Sequence, residues 1–183
     1  MIIYIRHGND QTNTKSAIKY KHDLPISKNS KHLIKKLTHE LVEKFGYPTK
    51  IYSGPFIRCR DTMMVMINEI IFMKNGIDPD FCLKCYDFDI ELNVDCNLSK
   101  YSAHLKNKLY KISPTTLNYN IPTKETKNDF DMRLDTHIES MKKNIPYHNI
   151  WCVTHAYIYK QIGSKLNINT PSHINFLDYF IYN

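Results

Sequence analysis

The sequence of 183 residues has no apolar run approaching about 20 residues, the length that a membrane-spanning helix requires. Its opening segment, residues 1–8, also lacks the charged region and the long apolar stretch of a secretory signal. These two absences predict a soluble cytoplasmic protein without a membrane partner. No internal repeat, low-complexity tract or linker is visible, so we expect one domain that spans residues 1–183.

A complete metal-binding motif is also missing. The chain has five cysteines, an odd number without a signal peptide, which favours free thiols in a reducing compartment. Cys82 and Cys85 form a C-x-x-C pair, to which Cys96 and His104 could be added as zinc ligands. Since neither a second C-x-x-C nor a paired H-x-x-x-H is present, we expect no metal, and nothing implies an organic cofactor.

Charge of one sign dominates, since 25 Lys and Arg residues against 18 Asp and Glu residues give a formal net charge of +7. A positive field favours anionic partners. The lysines are spread along the chain instead of forming blocks, so a nucleic acid is the weaker option. A phosphorylated substrate, either a small molecule or a phosphoprotein, fits equally well or better.

Short apolar runs alternate with stretches of helical spacing along the chain. This alternation predicts an α/β fold, a three-layer sandwich whose mostly parallel central sheet has helices on both faces. The region 87–123 has few periodic signals and is interpreted as a long excursion. The predicted strands are Met1–Ile5, Lys50–Ser53, Phe81–Tyr86, Ile150–Thr154 and Phe176–Tyr182, and the predicted helices are Ser30–Phe45, Ile57–Phe72, Lys124–Asn144 and Ala156–Leu166.

Three polar motifs directly follow three of the predicted strands. In an open parallel sheet the carboxyl ends of the strands line one crevice, so these motifs should converge although they lie far apart in sequence. The predicted site would hold two arginines and two histidines. The motifs are Arg6-His7-Gly8, Ser53-Gly54-Pro55-Phe56-Ile57-Arg58 and Thr154-His155.

This set of residues suits phosphoryl transfer. Arg6 and Arg58 offer planar forks of N–H donors that match the oxygens of a phosphoryl group. A neutral imidazole such as that of His7 can attack phosphorus, provided that its other nitrogen holds the ring in one tautomer. A backbone carbonyl near Gly8 could accept that hydrogen bond, and the glycine would let the chain turn sharply beside the ligand.

The ordered motifs resemble those of the histidine phosphatase superfamily, also called the phosphoglycerate mutase-like family, over nearly the whole chain. The hallmark R-H-G-E-T-x-W-N, the D-x-P-L-T stretch, the S-S-P-L-x-R-A-x-x-T block and the final S/T-H-G each have a counterpart in the same order. The counterparts are Arg6 to Asn13, Asp23 to Ser27, Ser53 to Thr62, and Thr154-His155-Ala156.

The resemblance implies a role for each matching residue. His7 would become phosphorylated, while Arg6, Arg58, His155 and Asn13 would bind the phosphoryl group. A carboxylic acid would protonate the leaving oxygen and then activate water. The family places that acid after the third strand, where we favour Glu91, with Asp89 and Asp95 as alternatives.

The resemblance therefore predicts a metal-independent, acid-type histidine phosphatase that hydrolyses phosphomonoesters through a phosphohistidine on His7. Phosphoglycerate mutase-type transfer is the nearest alternative, although the chain is short and lacks the longer insertion of such mutases. A non-catalytic phosphate-binding module, a pseudophosphatase, is the other alternative. It is suggested by the uncertain acid and by Ala156, which stands where the family has glycine.

Overall fold

The computed structural model describes residues 1–10, 24–54, 56–75, 89–92 and 126–183, with residues 89–92 described through their backbone. Within this part of the chain, strands and helices mostly alternate. In chain order they are β1 (Ile2–Arg6), α1 (Lys28–Phe45), β2 (Lys50–Ser53), α2 (Ile57–Asn75), β3 (Asp89–Leu92), α3 (Lys127–Asn144), β4 (Ile150–Thr154), α4 (Ala156–Lys165) and β5 (Tyr179–Tyr182).

The strands form one sheet in the order β3-β2-β4-β1-β5. Strands β1, β2, β3 and β4 are parallel to their neighbours, whereas β5 runs antiparallel along the outer side of β1. In the centre, Arg6 of β1 lies opposite Thr154 of β4, and Ser53 of β2 lies opposite Val153. The carboxyl ends of three neighbouring strands therefore meet at one edge of the sheet.

Alternate residues of each central strand pack on opposite faces of the sheet, as the two-residue period of a strand requires. Ile3 and Ile5 belong to a core formed with α1 and α2, while Ile2 and Tyr4 belong to a core formed with α3 and α4. Since both faces are covered, β1 and β4 consist almost entirely of buried residues. The predicted three-layer α/β sandwich with a mostly parallel sheet is confirmed.

Local signals explain where the helices begin and end. Ser27 caps α1, because its hydroxyl accepts a hydrogen bond from the backbone N–H of Ser30 at 3.2 Å. Gly46 ends that helix with a positive φ of 75°. Thr126 and Asp129 form a reciprocal capping box at the start of α3. Among the helices described, none is long and apolar enough to cross a membrane.

The ends of the four predicted helices agree with the structure within three residues. The predicted third strand, Phe81–Tyr86, lies outside the described residues and stays a prediction, while strand β3, Asp89–Leu92, lies inside the predicted excursion, where the sequence predicts no strand. The last strand begins at Tyr179 instead of Phe176, because Leu177 has a positive φ of 68° that is incompatible with an extended strand.

Candidate active site

Backbone hydrogen bonds between neighbouring strands bring the three predicted motifs together. The N–H of His7 donates to the carbonyl of Thr154 at 2.9 Å, and the N–H of Gly54 donates to the carbonyl of Val153 at 2.9 Å. The parallel ladder is thus continued one residue beyond β1 and β2. As a result, the side chains that follow these strands lie beside one another.

His7 is buried, with 5% of its surface exposed, and its ring is held by the neighbouring peptide group. Its Nδ1 lies 2.8 Å from the carbonyl oxygen of Gly8. Because a carbonyl can only accept, this contact assigns the proton to Nδ1 and leaves the lone pair on Nε2. Burial, and then the proximity of His155, Arg58 and Arg6, lowers the pKa of His7 to about 2, against the Gly8 hydrogen bond, which raises it. His7 is therefore neutral in the folded protein at ordinary pH.

His155 follows β4 and is the N-cap residue of α4. Its ring centroid lies 5.0 Å from that of His7. The Nε of Arg58 donates to Nδ1 of His155 at 3.3 Å. Since a guanidinium has no acceptor, Nδ1 holds the lone pair, and the neutral ring carries its proton on Nε2. The two histidines are thus held in opposite tautomers, His7 with a lone pair on Nε2 and His155 with an N–H there.

Each of the two arginines lies against a phenylalanine ring. The Cζ of Arg6 is 4.0 Å from the ring centroid of Phe176, and the Cζ of Arg58 is 4.8 Å from that of Phe56. The same two rings approach the histidines, with centroid distances of 5.6 Å from Phe176 to His7 and 4.9 Å from Phe56 to His155. The rings hold the two cations beside the imidazoles without neutralising them.

Arg6 is more constrained than its position at a strand end suggests. Its Nη1 donates to the carbonyl of Ile174. Its Nε is buried and has no hydrogen-bond partner among the described residues. Burial, and to a smaller extent the positive charge of Arg58, lowers the pKa of Arg6, while the carboxylates of Asp178 and Asp10 raise it. A half-buried cation with an unused, buried donor is a suitable partner for an anion.

Gly8 and Thr62 connect the first motif to the second. The N–H of Gly8 donates to the hydroxyl oxygen of Thr62 at 3.0 Å, and that hydroxyl donates to the carbonyl of Arg58 at 2.7 Å. The predicted sharp turn at Gly8 is not the reason for the glycine, because its φ is not positive. A Cβ there would lie 2.6 Å from Oγ of Ser30, so the close approach of α1 excludes a side chain.

The structure therefore brings together Arg6, His7, Arg58 and His155, four of the six predicted site residues. Asn13 lies outside the described residues, as does Asp95, one of the alternative acids. Glu91 and Asp89 lie within β3, where Glu91 pairs with Tyr52 one position before the end of the strand. The predicted third strand, Phe81–Tyr86, lies outside the described residues, so the role of Glu91 as the acid stays a prediction.

Three neighbours of the site were not predicted as site residues. The sequence predicts Phe176 at the start of a strand, but it lies in the turn before β5 and has 39% of its surface exposed. Phe56 and Cys59 stood inside a recognised motif without an assigned role. The Sγ of Cys59 lies 3.5 Å from Nε2 of His155. The position of Cys59 next to Arg58 in sequence was the signal that could have identified it as a neighbour of the site.

The arrangement places one imidazole nitrogen with a free lone pair close to several N–H donors, a combination suited to binding an anion. Cys59 and Cys152, the cysteines within the described chain, are both buried. Within the same residues, no three His, Cys, Asp or Glu side chains are grouped so that they could hold a metal ion.

Comparison with known proteins identifies the family. The sequence profile of the histidine phosphatase superfamily (branch 1) matches residues 2–176, which is most of the chain. The chain therefore belongs to the histidine phosphatase superfamily. A search of curated proteins finds no match.

Solved structures of low sequence identity share the fold. The ecdysone phosphate phosphatase of Bombix mori, in complex with tungstate, has a TM-score of 0.58 at 12% identity, over 97% of this chain and 86% of that one. The protein histidine phosphatase SixA, complexed with tungstate, has a TM-score of 0.54 at 12% identity, over 96% and 83%. Phosphoserine phosphatase from Entamoeba histolytica, in complex with 3-phosphoglyceric acid, has a TM-score of 0.51 at 17% identity, over 91% and 80%. At these identities the similarity concerns the fold.

Proposed function

We propose that this protein is a phosphatase that hydrolyses phosphomonoesters through a phosphohistidine on His7, without a metal ion. The observation that carries the proposal is the pair of opposite tautomers. His7 keeps a lone pair on Nε2 because Nδ1 donates to the Gly8 carbonyl, and His155 keeps an N–H on Nε2 because Nδ1 accepts from Arg58. One ring can thus attack phosphorus while the other binds a phosphoryl oxygen.

In the first step, the lone pair on Nε2 of His7 forms a bond to phosphorus. The bond between phosphorus and the ester oxygen breaks, and its electron pair remains on that oxygen, which an acid protonates. The guanidinium groups of Arg6 and Arg58 and the Nε2–H of His155 would bind the non-bridging oxygens, where negative charge develops. The low pKa of His7 keeps it neutral, so it needs no base to become a nucleophile.

In the second step, water attacks the phosphorus of the phosphohistidine. The bond from nitrogen to phosphorus breaks, its electrons return to Nε2, and the proton of water passes to the conjugate base of the acid. We propose Glu91 as this acid, because β3 lies beside β2 and Glu91 is one position from its carboxyl end. Asp89 and Asp95 remain alternatives, and Asn13 remains a predicted phosphate-binding residue.

The first experiment measures phosphate release from 4-nitrophenyl phosphate with a chelator present, for the wild type, His7→Ala and His32→Ala. His32 is an exposed histidine on α1 and serves as the matched control. The wild type and His32→Ala should release phosphate, and His7→Ala should lose about 10⁴-fold or more in kcat, as expected when a nucleophile is removed. Release that persists in His7→Ala would exclude the proposed nucleophile.

Further measurements separate the alternatives. An alkaline quench during turnover should trap a phosphoenzyme in the wild type that is absent in His7→Ala. Isomerisation of a phosphoglycerate without net phosphate release would instead establish a mutase, and phosphate binding without any turnover would establish a pseudophosphatase.

The identity of the acid is tested with two variants. Glu91→Gln should lower kcat by about 10²-fold or more, whereas Asp89→Asn should not. The reverse result would assign the acid to Asp89.

A further inference from the structure

The turn before β5, residues Ile174–Asp178, surrounds Arg6 with three contacts. The carbonyl of Ile174 accepts a hydrogen bond from Nη1 of Arg6. The carbonyl of Asp178 accepts the backbone N–H of Arg6 at 2.9 Å. Between them the ring of Phe176 lies against the guanidinium, 4.0 Å from Cζ to the ring centroid. Phe176 therefore occupies a defined position beside the arginine and does not sit on a loose loop.

Two hydrogen bonds and one uncommon backbone conformation fix the shape of this turn before β5. The carboxylate of Asp178 accepts the backbone N–H of Asn175 at 2.6 Å, and the N–H of Asp178 donates to the carbonyl of Asn175 at 3.2 Å. Leu177 has a φ of 68°, which is uncommon for a residue other than glycine. A residue keeps an unfavourable backbone conformation only when the surrounding structure holds it there, and its sequence neighbours are then held in position as well. Here that neighbour is Phe176.

Phe176 differs from the other aromatic ring of the site in its exposure. Phe56 is buried, with 5% of its surface exposed, so it serves as packing for Arg58 and His155. Phe176 keeps 39% of its surface exposed, although its ring centroid lies only 5.6 Å from that of His7. An exposed aromatic surface next to a nucleophile has apolar area that a bound molecule can cover.

We propose that Phe176 is a specificity-determining residue, which selects phosphomonoesters whose leaving group is an aromatic ring over those with a small polar aliphatic leaving group. The proposal rests on the proposed function, since it names the substrate class of the same site. The arginines and histidines recognise the phosphoryl group, which all phosphomonoesters share. Only a contact to the rest of the molecule can distinguish one ester from another, and the exposed ring of Phe176 supplies an apolar one.

The test compares two non-hydrolysable ligands that share the anionic group, phenylphosphonate and methylphosphonate. Their dissociation constants are measured by calorimetry for the wild type, Phe176→Leu, Phe176→Tyr and Phe72→Leu. Phe72 is the matched control, a phenylalanine on α2 that is 57% exposed. It lies 14 residues beyond Arg58 on that helix, or about 21 Å at 1.5 Å per residue. Thermal unfolding of each variant checks that it folds.

The wild type, Phe176→Tyr and Phe72→Leu should bind phenylphosphonate more tightly than methylphosphonate. In Phe176→Leu that preference should fall by about fivefold to tenfold, the range expected for one aromatic contact, while methylphosphonate affinity changes little. Equal losses for both ligands would mean that Phe176 acts only by holding Arg6, and the proposal would be overturned. A wild type without any preference would overturn it as well.

Hydrolysis distinguishes this result from a failure of the proposed function. The values of kcat/KM for phenyl phosphate and glycerol phosphate should change in the same ratio as the binding constants when Phe176 becomes leucine. If no ester is hydrolysed but the phenyl preference depends on Phe176, the proposed activity fails while the ligand selectivity stands. If esters are hydrolysed and Phe176→Leu slows both equally, the activity stands and the selectivity fails.

Discussion

The site has two halves built from the same three kinds of side chain. One half is Arg6, His7 and Phe176, and the other is Arg58, His155 and Phe56, each with a guanidinium on a phenylalanine ring that also approaches the histidine. The halves differ in what each histidine contacts. His7 is buried and donates through Nδ1 to a carbonyl, whereas His155 is half-buried and accepts at Nδ1 from an arginine.

The atom opposite Nδ1 of each histidine decides what its Nε2 can do. A carbonyl makes His7 an acceptor at Nε2, which suits a nucleophile, and an arginine makes His155 a donor at Nε2, which suits a phosphate ligand. The aromatic rings differ in a parallel way, since Phe56 is buried and Phe176 is exposed. Each half can therefore be changed separately.

The largest effect after removal of the nucleophile is expected from the other histidine. His155→Ala should lower kcat by about 10²–10³-fold, the cost of removing one donor from a developing oxyanion, and should still form the phosphoenzyme. His155→Gln retains an N–H donor and should lose less. The measurement is single-turnover kinetics with an alkaline quench. If His155→Ala forms no phosphoenzyme while His7→Ala does, the proposed roles of the two halves are reversed.

Gly8→Ala should disturb the His7 half through packing. The added Cβ would lie 2.6 Å from Oγ of Ser30 and 2.9 Å from Cδ1 of Ile34, so the free energy of unfolding should fall by about 1–3 kcal/mol. Ser30→Ala in the same chain removes the nearer atom, a buried hydroxyl oxygen without a hydrogen-bond partner among the described residues. Denaturant unfolding should show partial recovery in the double variant. No recovery would assign the cost to another contact.

The pH dependence of the free energy of unfolding should also distinguish His7 from an exposed histidine. The pKa of His7 is lowered to about 2 in the folded protein, mainly by burial, whereas its pKa in the unfolded chain is about 6.5. Below about pH 6.5 the unfolded state binds the proton first, so the free energy of unfolding falls as the pH falls. The expected contribution is on the order of 1 kcal/mol per pH unit down to about pH 4.5.

The measurement is denaturant unfolding at several pH values for the wild type, His7→Asn and His32→Asn. His7→Asn should show a weaker loss of stability on acidification, because the group that gains a proton on unfolding is gone. His32→Asn changes an exposed side chain and should follow the wild type. Parallel curves for the wild type and His7→Asn would contradict the assigned burial and neutrality of His7.

Much of the fold could be predicted from local patterns. The apolar runs of β1 and β4 and the helical spacing of α1 and α3 depend on residues close in sequence, and there the prediction agrees with the structure. Strand β3 was not predicted in the same way, because Asp89–Leu92 alternates polar and apolar residues over only four positions, and its pairing with β2 supplies the reason for its conformation. The intrinsic strand propensity of a residue predicts little where tertiary contacts determine the backbone conformation.

The amino-acid sequence by itself determined the family, the three-layer α/β architecture, and the meeting of Arg6, His7, Arg58 and His155 at the carboxyl ends of parallel strands. These follow from strand periodicity and from motifs placed at strand ends, which are local properties. Only the tertiary structure decided which histidine presents a lone pair, why Gly8 has no side chain, and which phenylalanine is exposed. The His7 tautomer depends on the carbonyl of the adjacent Gly8, whereas the other outcomes depend on contacts between residues remote in sequence, such as Gly8 with Ser30, Arg58 with His155, and Phe176 with Arg6.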